Sequence, residues 1–307
     1  MEQALLKAGS FVVVILLGYF LRRFGVFGPN AYQVMTKIAL NVTLPAAVIT
    51  SFAGLGERDN TLFLLVGIGF LLNVVMFLVG FLVSRKKDKK DKAFYLLCCP
   101  GYSIGSFTLP FVQNFFGAFG VVGTCMFDIG NSMMCTGGSY TVAAALTGDD
   151  AAKKIDFRAA LKRLFTSIPF VTYLLMLVLS LLDWRIPEPV VTLSSTIAAA
   201  NGFAAMMMIG MMFKLELKKE YLKAAGIVLL LRYSFAAAFS AFFYFCLPLP
   251  LEIRQILAVV SFGPLSALTP AFVEKLKGNA GLASVVSSAS IIISIAIMTV
   301  LMMVMEI

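Results

Sequence analysis

The sequence predicts an all-α integral membrane protein. Ten transmembrane helices form two inverted five-helix repeats, with broken crossover helices 4 and 9. Three observations predict it. The 307 residues are 60% hydrophobic and 13% charged, whereas a soluble domain is roughly half apolar and about a quarter charged. Basic residues fall in alternate loops between the apolar runs. Two polar, proline-broken stretches, 101–117 and 263–278, match at a separation of 160. About 20 residues span a bilayer core, so the chain has room for about ten helices and short loops, and no segment reads as a separate soluble domain.

The spans follow in order. Span 1 covers 4–21 and is closed by Arg22 and Arg23, with a Gly28-Pro29-Asn30 turn after it. Span 2 covers 31–53, with Asn41 a turn before Pro45. Span 3 is 61–84, and the loop RKKDKKDK at 85–92 is the most basic in the chain. Span 4 is 93–116, and a short Gly-containing turn leads to span 5 at 120–146. Span 6 runs 164–182, span 7 190–213, span 8 221–246, span 9 253–274 and span 10 280–305.

Loop charge tests this count. The loops after spans 1, 3, 5, 7 and 9 hold nineteen Lys and Arg, and the opposite side holds four. Basic loops stay in the cytoplasm, so both termini face away from it and the chain lies in the cell membrane. The offset of 160 lays Asn41 on Asn201, Ser106 on Ser266 and Pro110 on Pro270. Residues 1–147 and 164–307 are then the two repeats, joined by a charged cytoplasmic connector at 148–163. Five spans per half is odd, so the second half enters inverted. Inverted repeats with interrupted helices point to a secondary transporter.

Composition also excludes. The net charge of +9 sits in short loops, where it sets topology, and no nucleic-acid partner is expected. The chain has no His, and its five cysteines lie in apolar runs without metal-ligand spacing. No metal, cofactor or enzymatic activity is expected. The N-terminus, with Glu2 against Lys7 and no small-residue cleavage site, reads as a first span and not as a cleaved signal.

A membrane site needs partners that a regular helix cannot offer. A broken helix exposes carbonyls to a cation or amides to an anion. In the first stretch, Gly105 and Pro110 weaken the helix beside the hydroxyls of Ser103, Ser106 and Thr108. In the second, Ser266 and Thr269 stand by Pro270. Asp128 lies about 14 Å into span 5 at 1.5 Å per residue, with Asn131 on the same face. Arg232 lies equally deep in span 8. Charges at that depth are functional candidates. Asp128 with Asn131 would receive H⁺ or Na⁺. Arg232 would pair with Asp128 or attract an anionic substrate. Asn41, Pro45 and Asn201 either line the cavity or glue helices. The serines of span 10 and the Met cluster at 206–212 read as packing.

The order of motifs resembles the auxin efflux carrier family, bacterial branch. The carrying residues are KIALNVTLPAAVITSF at 37–52, SIGSFTLPFVQNFFG at 103–117, SIPFVTYLLMLVLSLLDWRIPEP at 167–189 and GFAAMMMIGMMF at 202–213. The bile-acid sodium symporters are similar at the level of fold. The resemblance implies a scaffold of spans 1, 2, 6 and 7, often forming a homodimer, and a transport domain of spans 3–5 and 8–10. It implies elevator-like movement and a small organic anion as substrate, auxins in plants and dicarboxylates in bacteria. The chain departs from the pattern at Ser103, where relatives carry Asn, and at Ala204 and Ala205, where a proline is usual. A membrane sensor that binds the same ligand without moving it is the alternative.

Overall fold

Backbone in lipid must satisfy its own polar groups, and the fold obeys this almost entirely with helix. The computed structural model describes residues 2–28, 30–54, 60–147, 157–213 and 219–305. Pro29 of the predicted turn and connector residues 148–156 lie outside the described residues, as do Arg58, Lys153, Lys154, Lys214 and Lys218. Among the described residues the only β pairing is one isolated antiparallel bridge, between Tyr102 and Leu265.

Six helical segments are long and apolar enough to cross a membrane: Ala31–Ala53, Thr61–Ser84, Ile104–Thr147, Glu188–Met212, Glu220–Cys246 and Ala280–Val304. The pair Arg158–Phe165 and Ile168–Leu181, bent by 78°, would make a seventh. The protein is therefore an all-α, multi-pass membrane protein. The helices that matter below are α1 (Glu2–Arg23), α2 (Ala31–Ile38), α3 (Leu44–Ala53), α4 (Leu64–Ser84), α5 (Lys89–Cys98) and α6 (Leu109–Ser132). They are followed by α7 (Ser139–Thr147), α8 (Phe157–Phe165), α9 (Ile168–Leu181), α10 (Glu188–Ala198) and α11 (Asn201–Met212). The last four are α12 (Lys219–Cys246), α13 (Leu251–Val260), α14 (Thr269–Lys275) and α15 (Ala280–Val304).

Local sequence explains where helices widen. Thr-Leu-Pro occurs at 43–45 and again at 108–110. Proline lacks the N–H that the preceding turn needs, and its ring crowds that turn's carbonyl. Both sites answer with a π turn, Ala39–Thr43 before α3 and Ile104–Thr108 before α6. The threonine hydroxyl adds a second donor to a π-turn carbonyl each time: Thr43 donates to Ala39 and Thr108 to Ser103, at 3.1 and 3.2 Å. The predicted turn between spans 4 and 5 falls at Gly117, whose φ of 59° is open to glycine.

Three glycine contacts, at two helix pairs, set the close packing. An added Cβ on Gly210 of α11 would sit 2.0 Å from the Ile15 carbonyl of α1. One on Gly130 of α6 would sit 2.0 Å from the Val66 carbonyl of α4, and one on Gly69 would sit 2.2 Å from the Phe127 carbonyl. Such close approach is the usual basis of helix association in lipid. The α4–α6 seat brings Asn73 beside Asn131. Elsewhere α3 packs on α9 and α10, α12 on α13 and α15, and α5 on α7 and α14.

Candidate functional site

The site is built where two helices stop. Helix α5 ends before Pro100 and Gly101, and Gly101 takes a left-handed φ of 81°. Helix α13 ends at Val260, shortly before Gly263-Pro264. The two unwound segments lie antiparallel. Ser103 N–H donates to the Pro264 carbonyl at 2.8 Å, and Ser266 N–H donates to the Gly101 carbonyl at 3.3 Å. The broken stretches thus meet, and they do so in a definite register. Tyr102 faces Leu265, so Ser103 is related to Ser266 by the local two-fold of the bridge, an offset of 163. The sequence offset of 160 holds at the prolines, which take matching places in the first turns of α6 and α14. The π turn Ile104–Thr108 inserts the difference. The predicted match of Ser106 with Ser266 is corrected by that pairing. Pro110 does not make the break either. It lies just past the π turn Ile104–Thr108, which runs on into α6 and absorbs the loss of its N–H.

Side chains satisfy the rest of the unwound backbone. The Asn73 Oδ1 accepts from Gly101 N–H at 2.8 Å. The Asn131 carboxamide imitates a strand edge: Oδ1 accepts from Tyr102 N–H at 3.1 Å and Nδ2 donates to the Tyr102 carbonyl at 3.0 Å. Asn73 Nδ2 also donates to Asn131 Oδ1 at 3.1 Å, which locks the two amides together. On the other break, Ser290 accepts from Leu265 N–H at 2.9 Å and Ser294 donates to the Phe262 carbonyl at 2.6 Å. Tyr233 holds that pair, with its hydroxyl 2.7 Å from the Ser290 carbonyl and 2.9 Å from Ser294 Oγ. The span-10 serines expected to serve packing include two that fasten backbone.

Arg232 joins the breaks from behind. One guanidinium nitrogen donates to the carbonyls of Cys98, Cys99 and Pro100 at 3.4, 2.7 and 3.1 Å. The other donates to the Gly263 carbonyl at 3.2 Å. The group lies 4.8 Å from the centre of the Tyr102 ring and is buried. Cations belong at helix C-termini, and this one serves α5 and α13 together. The expected pairing with Asp128 is not formed, and Arg232 lines neither cavity described next.

Two cavities share Ser103 and Ser106 on their walls. The larger, of 490 Å³, runs past Phe107, Met208, Pro270 and Ser288 to Arg22 and Glu274. The smaller, of 160 Å³, is lined by Gly105, Asp128, Asn131, Cys135, Thr136 and Ser266, among others. The Ser103 and Ser106 hydroxyls are 2.6 Å apart. Asp128 is 5% exposed and its Oδ1 accepts from Asn131 Nδ2 at 2.7 Å and Ser132 Oγ at 3.4 Å. Its Oδ2 and the Tyr173 hydroxyl both face the α-carbon of Gly105. A Cβ there would come within 3.2 Å of the carboxylate and 2.6 Å of the hydroxyl. The Tyr173 hydroxyl is buried beside that carboxylate.

The structure therefore gathers Ser103, Gly105, Ser106, Asp128, Asn131, Ser266 and Pro270 around the cavities. Thr108, Pro110 and Thr269 shape the breaks but line neither cavity. Asn201 glues helices: it accepts from Thr43 at 3.1 Å and donates to Gln113 at 3.4 Å. Asn41 is exposed on the outer surface, and Pro45, in the first turn of α3, lines neither cavity. The sequence reading missed Asn73 and Tyr173. Asn73 had a signal, a lone carboxamide amid an apolar run. Tyr173 had none, because its position beside Gly105 is set by packing alone.

No family model matches the chain, and no curated protein does. The site's chemistry then carries the functional reading. Because the preceding residues are unwound, the first N–H groups of the π turn at Ile104–Thr108 have no helical carbonyl behind them. Beside them stand two hydroxyls and one carboxylate without a cationic partner.

Proposed function

We propose that the protein is a secondary active or facilitative transporter of a small organic anion, a carboxylate, with the substrate held where the two breaks cross. One observation carries this reading. Arg232 takes up the carbonyl ends of both breaks, which leaves the N–H end of the π turn and the Ser103 and Ser106 hydroxyls to offer an anion beside the Asp128 carboxylate. Asp128 is the place for the coupling ion, H⁺ or Na⁺, with Asn131 orienting its carboxylate.

The wider reading is the one the motifs resemble, an auxin efflux carrier with ten spans in two inverted repeats. The packing of α3 on α9 and α10, apart from that of α12 on α13 and α15, agrees with a scaffold and a moving domain. The larger cavity then opens to the cytoplasm beside Arg22, both termini lie outside, and the movement is of the elevator kind. A homodimer would form through the scaffold.

The test is flux. Purified protein in liposomes should take up at least one of a panel of labelled mono- and dicarboxylates, saturably and with a dependence on pH or Na⁺. Binding without flux would make it a sensor, and neither binding nor flux would end the proposal.

A further inference from the structure

Arg22 and Arg23 are adjacent at the end of α1, yet they face different surroundings. Arg23 is exposed, donates to the Tyr19 hydroxyl at 2.8 Å and lines neither cavity. Arg22 is half-buried on the wall of the larger cavity, the one that reaches Ser103 and Ser106. One of its nitrogens donates to the Met211 carbonyl, and its guanidinium lies 5.7 Å from the Tyr32 ring centre. The group is thereby held in place by α11 and α2. A guanidinium has five N–H donors in a fixed fork, so the Met211 bond leaves donors to offer. Among the described residues, Arg22 is the one cationic side chain lining either cavity. Asp128 and Glu274 are the acids there. Loop charge alone would class Arg22 with Arg23 as a topology signal, and only the fold separates them.

We propose that Arg22 is the carboxylate-capture residue of the larger cavity. It takes the role that depth in the membrane assigns to Arg232, and it binds the anion at the mouth before the anion reaches Ser103 and Ser106. This rests on the carrier reading for its consequence in transport, but the binding event stands on Arg22 itself. Arginine suits carboxylate because two parallel N–H bonds match its two oxygens, and Met212 and Phe213 on the same wall give the rest of an organic acid an apolar surface.

Two arms test it. In the first, purified wild-type protein is treated with phenylglyoxal, and modification of Arg22 and Arg23 is read by peptide mass spectrometry. Benzoate or succinate should slow modification of Arg22 severalfold while Arg23 is unaffected, and benzamide should protect neither. Equal protection of both arginines, protection of neither, or an Arg22 that does not react at all would each overturn the proposal. In the second arm, Arg22→Gln should raise KM for a transported carboxylate about tenfold with kcat nearly unchanged. Arg22→Lys should recover only part of the loss, because an ammonium keeps the charge but not the paired N–H bonds, and Arg23→Gln should match wild type. Arg22→Gln and Arg23→Gln behaving alike would sink it. If wild-type protein moves none of the acids, the carrier reading fails, while the labelling arm still decides whether Arg22 binds carboxylate.

Discussion

The two breaks face each other across one bridge but are fastened by different chemistry. The first, at Pro100–Ser103, is held by carboxamides: Asn73 and Asn131 take both polar groups of Tyr102 and the N–H of Gly101. The second, at Ser261–Ser266, is held by hydroxyls, Ser290 and Ser294, with Tyr233 behind them. A carboxamide can replace a strand neighbour because it donates and accepts in one plane. A serine offers one hydroxyl and satisfies fewer groups. The first break also continues into a π turn, which puts Ser106 on both cavity walls and brings Gly105 to Asp128. The second returns to helix within a few residues. The comparison teaches that both breaks reach the cavities, the second through Ser266 and Ala267, while the first alone presents a π turn there beside a carboxylate.

The largest way to break this arrangement is to remove what both halves share. Arg232→Met leaves four buried carbonyls without their charged donor. Each such bond contributes about 1.5–3 kcal/mol, so the variant should lose folded protein outright, and Arg232→Lys should restore only part. Chromatographic monodispersity and thermal unfolding in detergent would read this, and an unaltered melting profile would contradict the shared-brace account.

Next come the clamps themselves. Asn131→Leu strips three partners at once and should cost about 2–4 kcal/mol, against about 1 kcal/mol for Ser290→Ala. Equal losses in matched thermal melts would erase the asymmetry between halves. Gly105→Ala sharpens the presenting role. Its Cβ would press on Tyr173 and Asp128, so flux should fall at least about tenfold, a 1.4 kcal/mol effect on the transition state, with little change in melting temperature. Asp128→Asn should leave the fold intact and remove the pH or Na⁺ dependence of flux; an unchanged dependence would take Asp128 out of the coupling role. The smallest effect is expected from Pro270→Ala, within about 1 kcal/mol in the same thermal melts, since Pro270 lies in the first turn of α14, where its missing N–H has no intrahelical partner to lose.

Much of the fold was legible because lipid makes composition decisive. The apolar runs, the basic loops and the Pro-Gly interruptions follow from the cost of charge and of unpaired backbone in hydrocarbon. The breaks were found from their residue types, and Asp128 and Asn131 from their depth. Asp128, Asn131, Ser103 and Ser106 do stand together. The role of Arg232 was not legible. A deep arginine looks the same in sequence whether it faces a cavity or a set of carbonyls, and the direction of α12 alone decides which. Asn41 and Asn201 show the same difficulty, since one residue type at matching places in the chain ended outside on one helix and inside on the other.

By itself, the sequence determined that this chain lives in a membrane, where its helices fail, and which polar residues lie too deep to be ignored. These are local and compositional matters, set by each segment's own burial cost. Tertiary structure alone decided the pairing of Tyr102 with Leu265, the strand-like use of Asn131, and which of two neighbouring arginines lines a cavity. Those depend on the register and rotation of helices packed through Gly69, Gly130 and Gly210. A one-residue shift there would re-aim every side chain without changing the hydrophobic pattern that a sequence displays.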